Sequence, residues 1–91
     1  MTDAVVLEVV RRTIVAVLPH LLPDEIVPAQ SLRDDLGANS IDVLDIAAGC
    51  ADELRLDIPA ADLAAAHTVG DLAGVLEASR DAVYGRPSGR R

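Results

Sequence analysis

The chain is nearly without aromatic residues: Phe and Trp are absent, and Tyr84 is the one tyrosine in 91 residues. A core without large flat rings must be built from Ala, Val, Leu and Ile, which make up nearly all of the 51% hydrophobic content. Such small, adjustable pieces suit a helix bundle that can loosen to admit a guest. Cys50 is the only cysteine, which excludes an internal disulfide and a cysteine metal cluster. It lies in an apolar helical stretch and reads as a small buried hydrophobe. No apolar run approaches the roughly 20 residues a membrane helix needs. The start, Met1 to Arg12, has no basic segment before its apolar run, so it does not read as a signal peptide. A cytoplasmic, reducing compartment is the expected location.

What is present fits one domain and leaves no room for two. A chain this short buries a modest core, but its apolar content is too high for a disordered chain. The net charge of −7 is unevenly spread. Between Asp24 and Asp62 stand ten acidic residues against Arg33 and Arg55, a balance of −8, and the rest of the chain carries +1. Acidity in the middle of the chain repels nucleic acid and attracts basic protein patches. Its plainer role is to keep a small domain soluble.

The apolar periods predict an all-α fold: a small bundle of three main helices plus one short helix, with a long loop between the first two. The first helix is expected from about Asp3 to Leu18, capped by Thr2 or Asp3, with Val6, Val10, Ile14, Val17 and Leu21 on one face. Val5, Val9 and Leu18 widen that stripe, and Glu8, Arg11 and Arg12 mark the wet side. Pro19 and Pro23 end the helix. Residues 19 to 39 then read as a loop of a length that is often functional, with Ser31 capping a turn at Leu32 to Leu36. A second helix is expected from Ser40 to Leu54, with Ile41, Leu44, Ala47, Ala48, Ala51 and Leu54 as its apolar stripe and Asp42, Asp45, Asp52 and Glu53 as its acidic face. Ile58-Pro59 breaks the pattern, and Ala60 to Ala66 makes the short helix. Thr68 caps the last helix, Asp71 is a short capping-box partner, and Val69, Leu72, Val75, Leu76 and Val83 supply the buried face. Residues 1–84 are expected to form the domain, and residues 85–91 a mobile tail at a natural chain end.

The chemistry is expected in Asp34-Asp35-Leu36-Gly37-Ala38-Asn39-Ser40-Ile41-Asp42. Gly37 lets the chain turn, and Asn39 caps the second helix. Ser40 then falls at the first helical position, its hydroxyl not needed for capping. Unpaired amides in a first helical turn favour a phosphate, so Ser40 is a good place for a phosphate ester. The flanking acids offer a basic modifying enzyme something to hold. By these arguments alone, a plain cap or solvent-facing serine is the commoner role for such a residue.

Leu36-Gly37-Ala38-Asn39-Ser40-Ile41-Asp42 resembles the phosphopantetheine attachment motif of acyl carrier proteins, Leu-Gly-x-Asp-Ser-Leu-Asp at the start of a second helix. Asp45, Ile58-Pro59 and Thr68-Val69-Gly70-Asp71-Leu72 also stand where that family has like residues, and the resemblance covers about residues 5 to 80. Asn39 departs from the usual Asp. It caps equally well but removes a charge that a modifying transferase can use. The Gly-Ala-Asn-Ser-Ile-Asp form, with Val17-Leu18-Pro19 near the end of the first helix, is most similar to free-standing carriers of polyketide β-branching cassettes.

The resemblance implies a monomeric, non-enzymatic carrier with 4'-phosphopantetheine covalently on Ser40 and acyl groups held as thioesters. It implies a phosphopantetheinyl transferase as partner, together with loading and condensing enzymes such as a ketosynthase or a hydroxymethylglutaryl-synthase-like enzyme. That last partner would take acetyl from the carrier in antibiotic-type polyketide synthesis. Asn39 and the acids Asp35, Asp42, Asp45 and Asp52 are the candidates for steering partners, with Ile41 and Leu44 for apolar contact. The plainer reading of the acids is a solvated face, and of Leu44 core packing.

Other classes fit less well. No stretch from Asp34 to Asp45 has the order of a calcium loop, and no metal is expected. Ser40 with His20 or His67 and an Asp lacks the nucleophile elbow of a hydrolase and a sheet to hold one. An unmodified acidic helical adaptor would not need Ser40. A peptidyl carrier for nonribosomal synthesis would more often have Gly-Gly before the serine region, and a fatty acid carrier a more Glu-rich second helix. Gly49, inside that helix, costs stability without a visible reason.

Overall fold

The computed structural model describes residues 4–82. The described residues form helices α1 (Ala4–Val17), α2 (Ser40–Glu53), α3 (Ala60–Ala64) and α4 (Val69–Arg80), with a single 3₁₀ turn at Pro23–Glu25. The small all-α bundle is the expected one. α1 packs chiefly on α2 and α4, and α3 closes against α2 and α4. The expected caps Thr2 and Asp3, the expected buried Val83 and the domain limit at 84 lie outside the described residues.

The core contains only Ala, Val, Leu, Ile and Cys50 among the described residues, and no polar residue is buried there. Val6, Val9, Val10 and Ile14 line the inner side of α1, as their period requires, and Leu18 just beyond its end is buried with them. Val5 does not join them; it stands 54% exposed. Arg11 is half-buried and not simply on the wet side: its Nε donates to the Ile26 carbonyl at 2.9 Å. That bond ties the first part of the long loop to α1, and Ile26 is fully buried beside it. Arg12 meets Glu53 in an exposed ion pair between α1 and the end of α2.

The apolar stripe of α2 needs correction. Its buried residues are Val43, Ile46, Ala47, Cys50 and Ala51, whereas Ile41 and Leu44 stand 70% and 41% exposed and Ala48 is exposed. The composition permits either face: the helix carries apolar residues nearly all round, and packing against α1, α3 and α4 selects between them. Gly49 is required by its neighbour: a Cβ built on it would lie 2.9 Å from Thr13 Cγ2 on α1. The missing side chain lets α1 and α2 approach.

α2 ends with Arg55 at φ 58°. The Leu56 amide returns to the Ala51 carbonyl at 2.8 Å, and the Arg55 amide to Asp52 at 3.1 Å, a left-handed helix stop usually given to glycine. α3 stops at Ala64 rather than Ala66, with Leu63 and Ala66 buried.

The long loop is stitched to the start of α4. Gly70 N–H donates to Pro28 O at 2.9 Å, Val69 N–H to Gln30 O at 3.0 Å and Leu32 N–H to His67 O at 2.9 Å. Leu32 and Leu36 are buried, as expected for a loop held to the core. The loop that leads to Ser40 is thereby a fixed platform.

Candidate functional site

The site is built from the turn that precedes α2. Ser31 Oγ accepts from the Asp34 amide at 3.0 Å, and Asp35 Oδ2 accepts from the Ser31 amide at 2.6 Å. This reciprocal pair makes the expected turn over Leu32 to Leu36. Gly37 follows at φ +78°, a conformation that L side chains resist, and Ala38 N–H donates back to Leu32 O at 2.9 Å. The chain then enters α2 with Asn39 extended (φ −85°, ψ −179°).

Asn39 caps α2 as read from the sequence. Its Oδ1 accepts from the Asp42 amide at 2.8 Å, and Asp42 Oδ2 accepts from the Asn39 amide at 3.2 Å. Asp42 is thus half of a capping box and not only a surface charge. Ser40 is the first residue of α2, and its side chain is exposed. The first-turn amides of Ser40 and Ile41 have no partner within the helix, as at any helix start.

One residue that sequence reasoning passed over comes to this point. Arg33 Nη2 donates to Ser40 Oγ at 2.8 Å. The available signal was its isolation: with Arg55, it is one of only two basic residues between Asp24 and Asp62. Arg33 also borders a polar groove of about 420 Å³ shared with Ser31, Asp34 and His67. A more apolar groove of about 520 Å³ opens between α3 and α4, lined by Ile58, Pro59 and Val75 among others.

Asp35, Asn39, Ile41, Asp42, Leu44 and Asp45 all lie on the turn or on the first half of α2. Leu44 is solvent-facing and not a core residue, against the plainer reading of it. His67 is exposed at the foot of α4, where Asp71 Oδ2 accepts from its amide at 3.3 Å. The same Asp71 oxygen accepts from Thr68 N–H at 3.2 Å, and these backbone donors hold its carboxyl below the usual carboxylate range. Cys50 is buried as expected, and burial pushes its thiol up to about 11, opposed in part by a hydrogen bond with Thr13. Among the described residues, no group of three or more His, Cys, Asp or Glu is placed to hold a metal ion. No helix among them is long and apolar enough to cross a membrane.

Ser40 thus offers an exposed hydroxyl on a helix start, freed from capping, with a guanidinium on its oxygen and no carboxylate or imidazole bonded to it among the described residues. That arrangement suits bearing a group more than attacking one. Residues 8–76 match the family model of the phosphopantetheine attachment site. The match spans most of the chain, and the chain belongs to this family of carrier domains. The group these domains bear is 4'-phosphopantetheine, covalently attached. They are typically carriers rather than catalysts, and they work with a phosphopantetheinyl transferase and with catalytic enzymes.

Proposed function

We propose that Ser40 is the attachment residue and that the protein carries acyl thioesters for polyketide synthesis, as an acetyl donor to a hydroxymethylglutaryl-synthase-like β-branching enzyme. The observation that carries the attachment reading is the division of labour at the start of α2. Asn39 takes the cap at 2.8 Å, and Ser40 Oγ is left exposed and reachable. The residues fit a phosphodiester: two first-turn amides without helical partners, the positive end of a helix dipole, and the Arg33 guanidinium already on Oγ.

When attached, the arm supplies a terminal thiol that holds an acyl group as a thioester. The chain's own residues do the rest. Asn39 and Gly37 orient the start of α2. Asp35, Asp42, Asp45 and Asp52 present negative charge to basic patches on partner enzymes. Ile41 and Leu44 offer apolar contact beside the arm, which their exposure favours. The β-branching role is supported by the Gly37-Ala38-Asn39-Ser40-Ile41-Asp42 form and by Val17-Leu18-Pro19. The reading takes residues 1–84 as a monomeric, cytoplasmic carrier domain and 85–91 as a tail.

The test is co-expression with a broad-specificity phosphopantetheinyl transferase, followed by intact mass measurement of wild type and Ser40→Ala. Wild type is expected to gain one phosphopantetheine, and the variant none. Gain in both overturns the assignment to Ser40. Gain only after Asn39→Asp shows that the missing charge limits those transferases. Loading the arm with acetyl and presenting it to a hydroxymethylglutaryl-synthase-like enzyme, against fatty acid and nonribosomal partner enzymes, then separates the branching role from the other carrier roles.

A further inference from the structure

We infer that Arg33 anchors the phosphate of the arm, a positioning role that rests on the reading of Ser40 as the attachment residue. Arg33 lies directly before Asp34 and Asp35, in a stretch whose balance is −8. Yet among the described residues it forms no ion pair. Its Nη2 goes instead to the neutral Ser40 hydroxyl at 2.8 Å. A cation set on a hydroxyl amid carboxylates is a poor arrangement for the bare protein and a good one for a protein whose hydroxyl becomes an anion.

Two of the neighbouring acids, Asp35 and Asp42, are engaged elsewhere. Asp35 Oδ2 accepts from the Ser31 amide at 2.6 Å, and Asp42 Oδ2 from the Asn39 amide at 3.2 Å. Each carboxylate is held by the turn or the cap, and Arg33 remains for the serine. A guanidinium has five donors in a planar fork, and one is used on Oγ. A phosphodiester on that same oxygen brings its anionic oxygens to the remaining donors, the geometry that arginine pairs best. Without Arg33, the added negative charge would face Asp34, Asp35 and Asp42 with only the helix start to offset it. Arg33 therefore sets how firmly the root of the arm is held to α2.

The test uses the whole chain as wild type, Arg33→Ala and Arg33→Lys, each loaded to completion from coenzyme A with excess transferase and verified by intact mass. Thermal midpoints are compared before and after loading, at about 20 mM and about 0.5 M salt. Arg33 is exposed and its side chain bonds only Ser40, so the unloaded variants fold and supply their own baselines. Loading is expected to change the midpoint more favourably in wild type than in Arg33→Ala, by about 2–4 °C at low salt. Arg33→Lys should fall between them, and the difference should shrink at high salt. The ³¹P resonance of the loaded protein should move in Arg33→Ala. Equal loading effects in wild type and Arg33→Ala, with an unmoved ³¹P signal, overturn the anchor alone. If neither the wild type nor Asn39→Asp takes mass at Ser40, the attachment reading is overturned, and the anchor with it.

Discussion

Three single residues carry costs that only their surroundings explain. Gly49 forfeits about 1 kcal/mol of helix propensity, but a methyl there meets Thr13 Cγ2 at 2.9 Å. Thr13 cannot turn away easily, because it is β-branched and its Oγ1 is tied to Val9 O at 2.8 Å. Gly49→Ala should therefore destabilise by about 1 kcal/mol in denaturant unfolding, overpacking outweighing propensity. Adding Thr13→Ser removes the opposing methyl and should reverse the loss. Arg55 stands in the left-handed region at φ 58°, so Arg55→Gly should raise stability by roughly 1 kcal/mol in the same assay. Cys50 is kept protonated by burial, its pKa raised from 9.0 to about 11. The unfolded chain releases that proton first, so the folded state loses stability as pH rises from 9.0 to about 11. Unfolding curves across that range should show a decline that Cys50→Val lessens.

At the scale of elements, both long helices that follow loops are started by reciprocal caps. Asn39 with Asp42 begins α2, and Thr68 with Asp71 begins α4. Asn39→Ala and Thr68→Ala should each cost about 1 kcal/mol. Asp71 adds a pH signature. Its carboxyl is held below 3.8 by the amides of Thr68 and His67, so its contribution is present above the ordinary carboxylate range and is lost as pH falls through the folded-state value. The stability difference between wild type and Asp71→Asn should narrow as pH drops from neutral into that range. The two faces of α2 should separate cleanly: Ile46→Ala, at a fully buried position, should cost about 3 kcal/mol. Leu44→Ala should leave stability within about 0.5 kcal/mol while slowing acyl transfer with a partner enzyme.

Across the whole molecule, the dominant feature is a fixed loop delivering one serine to an acidic surface. The stitching of Pro28, Gln30 and Leu32 to the start of α4 makes the position of Ser40 depend on a helix far from it in sequence. The charge on that surface acts at longer range. Association with a basic partner enzyme should slow as salt rises from about 50 mM to about 500 mM, because exposed charges are screened beyond the Debye length. Among the described residues the core holds no ring, and its six largest fully buried side chains, Ile14, Ile26, Leu32, Ile46, Leu72 and Leu76, are all aliphatic.

Local chemistry could be read directly from the chain. The periods of α1 and α4, the caps at Asn39 and Thr68, the turn at Ser31 and Gly37 and the place of Ser40 at a helix start all follow from residues within a few positions of one another. What depended on distant partners could not be so read. α2 carries apolar residues nearly all round, so which face is buried was decided by the helices packed on it, and Ile41 and Leu44 came out exposed. Gly49 made sense only against Thr13, and Arg11 only against Ile26. Arg33 follows the same logic, because its place on Ser40 depends on how the segment from Arg33 to Ser40 closes rather than on any local preference of arginine. Short-range propensity and capping act within a turn of helix, and the chain spells them out. Choice of face, close approach and the meeting of a lone cation with a lone hydroxyl are settled by packing in three dimensions.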